Sequence, residues 1–350
     1  MGQLFVCWTG LGHGDCSAMQ QLAAQGLRIL ESNPFTVDWM RRKVSVIGAG
    51  KVGSTIAHLL ALKGMANVVL VNRTVGIAQG IALDIAEALP VEMSDVEVVG
   101  TGDYAAIAGS DIVVVTAGAQ RKEGMSRDDL LKVNADIISS IAAEIKKHAP
   151  ESKVIVITNP LDAMVYLVKK VTGFDRDRVI GMAGILDSSR FSSFIAEEVG
   201  VSVKDIHPLV LGSHGDTMVP LTRFTTISGK PVSDIVDKAK LDKIIERTRN
   251  GGAEIIKLEG SSAFYAPASS VVRMIDSILN DRKDVVPCSV YVDGEYGLEG
   301  VFIGLPVALG SKGVDRIVDL KLDESEMKML SDSAAKIKSL MQQVDAMQLK

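Results

Sequence analysis

The feature that most limits what this chain can fold into is an apolar run that breaks at once into spaced glycines. Val44-Ser45-Val46-Ile47 leads directly into Gly48-Ala49-Gly50-Lys51-Val52-Gly53. The first part has the length and β-branched content of a buried strand, and residues 52–63 continue in a helical pattern. A strand that turns through glycine straight into a helix opens a βαβ unit, and the alternation goes on. Strand-like runs at 67–71, 96–99, 111–116 and 153–157 are separated by helical stretches at 77–89 and 129–148. Such alternation requires right-handed crossovers, so it predicts a parallel sheet covered by helices on both faces.

After Asn159-Pro160 the texture changes. Helical segments at 187–198, 233–258, 266–280 and 323–341 are interleaved with short apolar runs at 206–211, 221–227, 285–292 and 301–309. Gly, Asp and Ser turn signals separate those runs, as antiparallel pairs require. The expected fold class is therefore α/β: a Rossmann-type doubly wound parallel sheet followed by a mixed α+β domain. The boundary is expected near Leu161, with a dinucleotide-binding domain at 40–162 and a substrate-binding and catalytic domain at 163–350. Residues 1–39 differ from the rest, holding Trp8, Trp39, Cys7 and Cys16. They have no basic start followed by an apolar core, and Arg28 is outweighed by Asp15, Glu31 and Asp38. They are expected to be an N-terminal extension outside the core fold.

Composition removes several function classes. With 350 residues the chain can bury a large core, and 47% hydrophobic against 23% charged residues is an ordinary globular balance. A net charge of −5 offers no basic stripe, so neither nucleic acid nor an anionic membrane is an expected partner. No apolar run approaches the roughly 18 residues of a membrane span. Cys7, Cys16 and Cys288 form neither a disulfide framework nor a zinc-type pattern, so no metal is expected and the location is expected to be cytoplasmic.

The glycines have separate tasks. Gly48 permits the tight turn off the strand, Gly50 lets backbone approach a pyrophosphate, and Gly53 allows close helix–strand packing. Lys51 and Val52 start the helix whose unpaired N–H groups favour a phosphate. Asn72, at the end of the second strand, stands where an acid bonds the ribose hydroxyls of NAD. Without that acid a 2′-phosphate is not repelled, and Arg73 and Thr74 add a charge and a hydroxyl that can hold it. Asn72-Arg73-Thr74 resembles the NADP-binding stretch of shikimate dehydrogenases, so the cofactor expected is NAD or NADP, leaning towards NADP.

Five ionisable residues follow this fingerprint: Arg121, Arg127, Asp187, Arg190 and His214. Their segments are Thr116-Ala117-Gly118, Arg121-Lys122-Glu123-Gly124-Met125-Ser126-Arg127, Asn159-Pro160-Leu161-Asp162, Leu186-Asp187-Ser188-Ser189-Arg190-Phe191 and His214-Gly215-Asp216-Thr217-Met218-Val219-Pro220. In order and spacing they resemble malate dehydrogenases of the lactate-dehydrogenase-like family, from about Met40 to the C-terminus. The resemblance implies that His214 is the acid–base group of a ketone reduction, with Asp187 holding its tautomer and stabilising its cation. It implies that Arg190 grips one substrate carboxylate, Arg127 polarises the carbonyl and Arg121 receives a second carboxylate. Arg121 stands where lactate enzymes typically carry glutamine, which points to oxaloacetate and malate. It also implies that Thr116, Ala117, Gly118, Asn134 and Asn159 line the nicotinamide side, with Asn159 near the substrate oxygen and Asn159-Pro160 in the cis form.

The polar stretch 118–129 has the character of a loop that closes over substrate. A homodimer or homotetramer is implied by the family alone. Three departures stand out: Gln120 for a usual proline, Ser213 for a usual glycine, and Asn72 for the usual acid. A lactate or broad 2-keto acid dehydrogenase, and a nucleotide-binding protein without catalysis, are the rival readings.

Overall fold

The structure, a computed structural model, describes residues 42–119 and 127–347. The expectations for residues 1–39, Gln120 and Arg121 lie outside the described residues, as does the side chain of Arg127.

Strands form on the β-branched runs and helices on the periodic stretches between them. In order they are β1 (Lys43–Ile47), α1 (Lys51–Leu62), β2 (Asn67–Val71), α2 (Val75–Ala88), β3 (Val98–Thr101), β4 (Ile112–Val115), α3 (Arg127–His148), β5 (Lys153–Val156), α4 (Leu161–Thr172) and β6 (Val179–Gly181). The six strands pair in parallel in the order β3-β2-β1-β4-β5-β6. That order reverses between β1 and β4, and a reversal opens a crevice at the carboxyl ends of the two strands.

The packing follows from the sequence pattern. Val44, Val46, Ile112, Val113, Val114 and Val115 are fully buried, as strands covered on both faces demand. Helix α1 buries Gly53, Ile56, Ala57, Leu60 and Ala61, one stripe at three-to-four spacing. Helix α3 begins with Asp128 and Asp129 and ends with Lys146, Lys147 and His148, charges that suit its dipole.

The remaining elements are α5 (Gly184–Val199), β7 (Ile206–His207), β8 (Val210–Gly212), β9 (Met218–Pro220), β10 (Thr226–Ile227), β11 (Lys230–Pro231), α6 (Lys238–Glu259), α7 (Tyr265–Leu279), β12 (Asp284–Asp293), β13 (Glu299–Gly310), β14 (Gly313–Ile317) and α8 (Glu324–Asp345). Strand β12 pairs antiparallel with β6, so the parallel sheet continues through β13, β8 and β9 without a gap. Strands β7, β10 and β11 form a separate small sheet. A capping box between Asp323 and Glu326 starts α8.

Some local expectations shift. The run 206–211 is cut by Pro208, which has no N–H to give a ladder, and its halves join different sheets. The run 221–227 is not one strand. Leu221 accepts turn bonds from Phe224 and Thr225, and strand pairing falls on Met218–Pro220 and Thr226–Ile227 instead. Leu161 opens α4, a helix not expected from the sequence pattern, with residues 161–165, Leu167, Val168 and Thr172 buried. Among the described residues no helix is long and apolar enough to cross a membrane.

Candidate active site

The glycine loop sits at the strand reversal. Gly48 has φ +112°, and its N–H donates to the Val71 carbonyl at 2.8 Å. A Cβ at Gly53 would overlap the Gly48 carbonyl oxygen, so that glycine is required by close approach. Thr116 fastens the loop from the neighbouring strand, its hydroxyl donating to the Gly48 carbonyl at 3.0 Å. The Thr116 and Ala117 N–H groups both donate to the Ile47 carbonyl.

Above this loop Gly50 is the N-cap of α1, which has no side-chain cap and no acidic residue in its first turn. A Cβ placed on Gly50 would meet nothing within 4 Å. Open space facing uncapped N–H groups fits a pyrophosphate. Val52 is half-buried behind them. The Lys51 ammonium donates to Ser261 Oγ at 2.8 Å and to Glu259 Oε1 at 3.2 Å, and stands 5.0 Å from the Phe264 ring centre. Asn72 bridges two backbone segments: Oδ1 accepts from Ala49 N at 3.3 Å and Nδ2 donates to the Thr74 carbonyl at 3.1 Å. Arg73 and Thr74 are exposed beside it.

Asn134 holds the next wall. Its Oδ1 accepts from Ala119 N at 2.7 Å, and its Nδ2 donates to the Asn159 carbonyl at 2.7 Å. One buried amide thus ties the loop after β4 to the loop after β5, where Asn159-Pro160 is cis. Thr158 adds a hydroxyl bond to the Ala117 carbonyl at 2.7 Å. Gly118 and Asn159 are exposed on those loops.

His214 lies in the short connection between β8 and β9, half-buried. Its Nδ1 is 2.9 Å from Asp187 Oδ2, and Asp187 is buried to 1% on the first turn of α5. Burial lowers the imidazole pKa, but the charge and hydrogen bond of Asp187 outweigh it, and the net shift is upward. Arg190, three residues on along the same helix face, places Nη1 3.5 Å from Asp187 Oδ1. Arg190 Nε and Asp187 Oδ1 are buried without hydrogen-bond partners among the described residues. A guanidinium with donors to spare beside an imidazole suits a carboxylate ligand carrying an adjacent carbonyl. The chain brings Asp187, Arg190 and His214 together as expected; Arg127 opens α3, and Arg121 is outside the described residues.

Three contributors escaped sequence reasoning. Asp162 Oδ2 accepts the His214 main-chain N–H at 3.3 Å. Ser333 Oγ accepts the Ser213 N–H at 2.8 Å from the C-terminal helix. Gly251 on α6 lies against the Arg190 side chain. Each acts across more than 50 residues of chain, and no local pattern marks such a pair.

The chain is similar to known proteins along most of its length. Residues 42–181 match the model of the lactate/malate dehydrogenase NAD binding domain, and residues 185–348 match that of the lactate/malate dehydrogenase alpha/beta C-terminal domain. A malate dehydrogenase of Roseiflexus sp. (strain RS-1) is 50% identical over 309 residues, covering 88% of this chain and 100% of that relative. The crystal structure of Cryptosporidium parvum malate dehydrogenase is similar with a TM-score of 0.85 at 41% identity, covering 88% of this chain and 100% of its own. The lactate dehydrogenase of the same organism, solved with lactic acid and β-nicotinamide adenine dinucleotide, gives a TM-score of 0.85 at 40% identity, over 88% of this chain and 99% of its own.

Proposed function

The chain belongs to the lactate/malate dehydrogenase family, and from that premise we propose that it interconverts oxaloacetate and (S)-malate with a nicotinamide dinucleotide. The observation that carries this reading is the 2.9 Å contact of His214 Nδ1 with Asp187 Oδ2, with Arg190 on the same helix face.

Because Asp187 holds Nδ1 as the donor, Nε2 is the nitrogen left to exchange a proton with the substrate oxygen. The upward pKa shift favours the imidazolium, which oxaloacetate reduction needs. Arg190 takes the carboxylate next to the reacting carbon through two N–H donors. Arg127 polarises the carbonyl, and Arg121 meets the distal carboxylate that pyruvate lacks. Asn159 bonds the substrate oxygen. Gly48, Gly50, Gly53 and the amino end of α1 would hold the pyrophosphate, and the cofactor, when bound, would supply the hydride exchanged with the substrate C2. Asn72 in place of an acid supports use of NADP beside NAD, with Arg73 and Thr74 near the 2′-position. The family also supports a homodimer or homotetramer.

The test is initial rates of oxaloacetate and pyruvate reduction, each with NADH and NADPH. Oxaloacetate should be preferred by about 100-fold or more in kcat/KM. His214→Asn should lower kcat by on the order of 10²- to 10⁴-fold. Equal use of pyruvate, or turnover untouched by His214→Asn, would overturn the reading.

A further inference from the structure

Behind the His214 turn lies a second buried carboxylate with no part in the steps above. Asp162 is 5% exposed and is the second residue of α4. Its Oδ2 accepts the His214 main-chain N–H at 3.3 Å, and its Oδ1 accepts the Ser289 hydroxyl at 2.7 Å. Ser289 is fully buried on β12, in register with Gly181 of β6. One side chain thus joins α4, the sheet and the catalytic turn.

Hydrogen bonding alone does not call for an acid here. An asparagine would accept the His214 N–H with Oδ1 and donate from Nδ2 to Ser289 Oγ, leaving both contacts satisfied. Burying a carboxylate instead carries a desolvation penalty of several kcal/mol. The acid adds only one thing, a negative charge. The charged groups that act on it are His214, which attracts, and Asp187, which repels, with Arg190 acting on the imidazole from the other side.

We propose that Asp162 is a positioning residue for proton transfer: its carboxylate fixes the His214 turn through the main-chain N–H and favours the protonated imidazole as a second negative charge behind it. The role rests on His214 being the acid–base group. Burial pushes the Asp162 carboxyl up to about 6, so it is ionised at neutral pH, and its charge adds to that of Asp187 in raising His214. Below that value Asp162 takes up a proton and withdraws its support, so the two groups titrate as a coupled pair.

The experiment compares the unmodified chain with Asp162→Asn and Ser289→Ala. Malate oxidation needs neutral His214, so kcat/KM rises with pH through the histidine pKa. Asp162→Asn should move that rise towards acid by about half a pH unit or more, since it removes a charge and keeps the contacts. Ser289→Ala removes the bond that holds the Asp162 carboxyl down, and should move the profile the same way by less. The His214 imidazole resonance, identified by its loss in His214→Asn, should titrate at correspondingly lower pH in both variants. NADH affinity should stay within about twofold of the unmodified chain. Profiles and resonances that superimpose on those of the unmodified chain would overturn the role. If the unmodified chain turned over neither oxaloacetate nor malate, the dehydrogenase reading would fall first and this role with it.

Discussion

Gly251 leaves open the volume that the Arg190 side chain fills: a Cβ there would stand 3.1 Å from Arg190 Cδ and 3.5 Å from its Nε. Gly252 continues the same clearance towards the guanidinium, with a Cβ at 3.7 Å from Nη2. The arginine therefore reaches the site along a groove that two glycines make in α6. Gly251→Ala should displace the guanidinium by a few tenths of an ångström and misalign its two donors. The KM for oxaloacetate should rise by about tenfold while NADH affinity holds. An unchanged KM would show that the groove does not set the position of Arg190.

In the proposed reaction Arg121 is the partner of the distal carboxylate. Arg121→Gln should then remove that partner and with it the unpaired charge that would disfavour pyruvate. The oxaloacetate-to-pyruvate ratio of kcat/KM should fall by about 100-fold or more. A ratio that stays put assigns the second carboxylate to another residue.

In the proposed reading the neutral Asn72 leaves a 2′-phosphate unrepelled, where an acid would repel it. Its Oδ1 contact with Ala49 N is one that an aspartate could keep, whereas the donation to Thr74 would be lost. Asn72→Asp should lower kcat/KM with NADPH by about tenfold or more and leave NADH nearly as before. Equal losses with both cofactors would mean that the residue only shapes the loop.

Ser333 is fully buried, and its hydroxyl accepts the Ser213 N–H at 2.8 Å. Ser213 Oγ and Thr217 Oγ1 close the same turn at 2.8 Å. Ser333→Ala leaves the part-buried Ser213 N–H without this partner, a loss of about 1–3 kcal/mol at most. Thermal melting should fall by a few degrees, and kcat should drop several-fold while cofactor affinity holds. A melting temperature within error of the unmodified chain would exclude Ser333 as an anchor of the turn.

Two groups in the site have raised pKa values in the folded chain, Asp162 to about 6 and His214 above its ordinary value. For both, the stabilising contribution is complete below the unfolded-state pKa and is lost as pH rises through the folded value. The melting temperature of the chain without ligands should therefore decline towards about pH 6 through Asp162, and further as pH rises above the ordinary histidine pKa through His214. Asp162→Asn should decline less, because it carries no charge to bury. A variant curve parallel to that of the unmodified chain would refute the Asp162 part of this linkage.

Much of this was legible before the structure. The spacing of glycines and β-branched runs announced the doubly wound half, because a fully buried parallel strand and an amphipathic crossover helix each have a periodicity of their own. Helix α4 was missed although it has an apolar face, and β6 because three residues make too short a run. Asp187 and Arg190 could be paired in advance, since three positions on a helix share a face. The supports of His214 could not: Asp162 with Ser289 and Ser213 with Ser333 meet only when β12 and α8 are packed.

The pairing of β12 with β6 carries one last implication. Because the sheet runs on from β6 into β12 through the bridge of Gly181 with Ser289, any rotation that opened it along that line would first have to break the pairing beside Ser289.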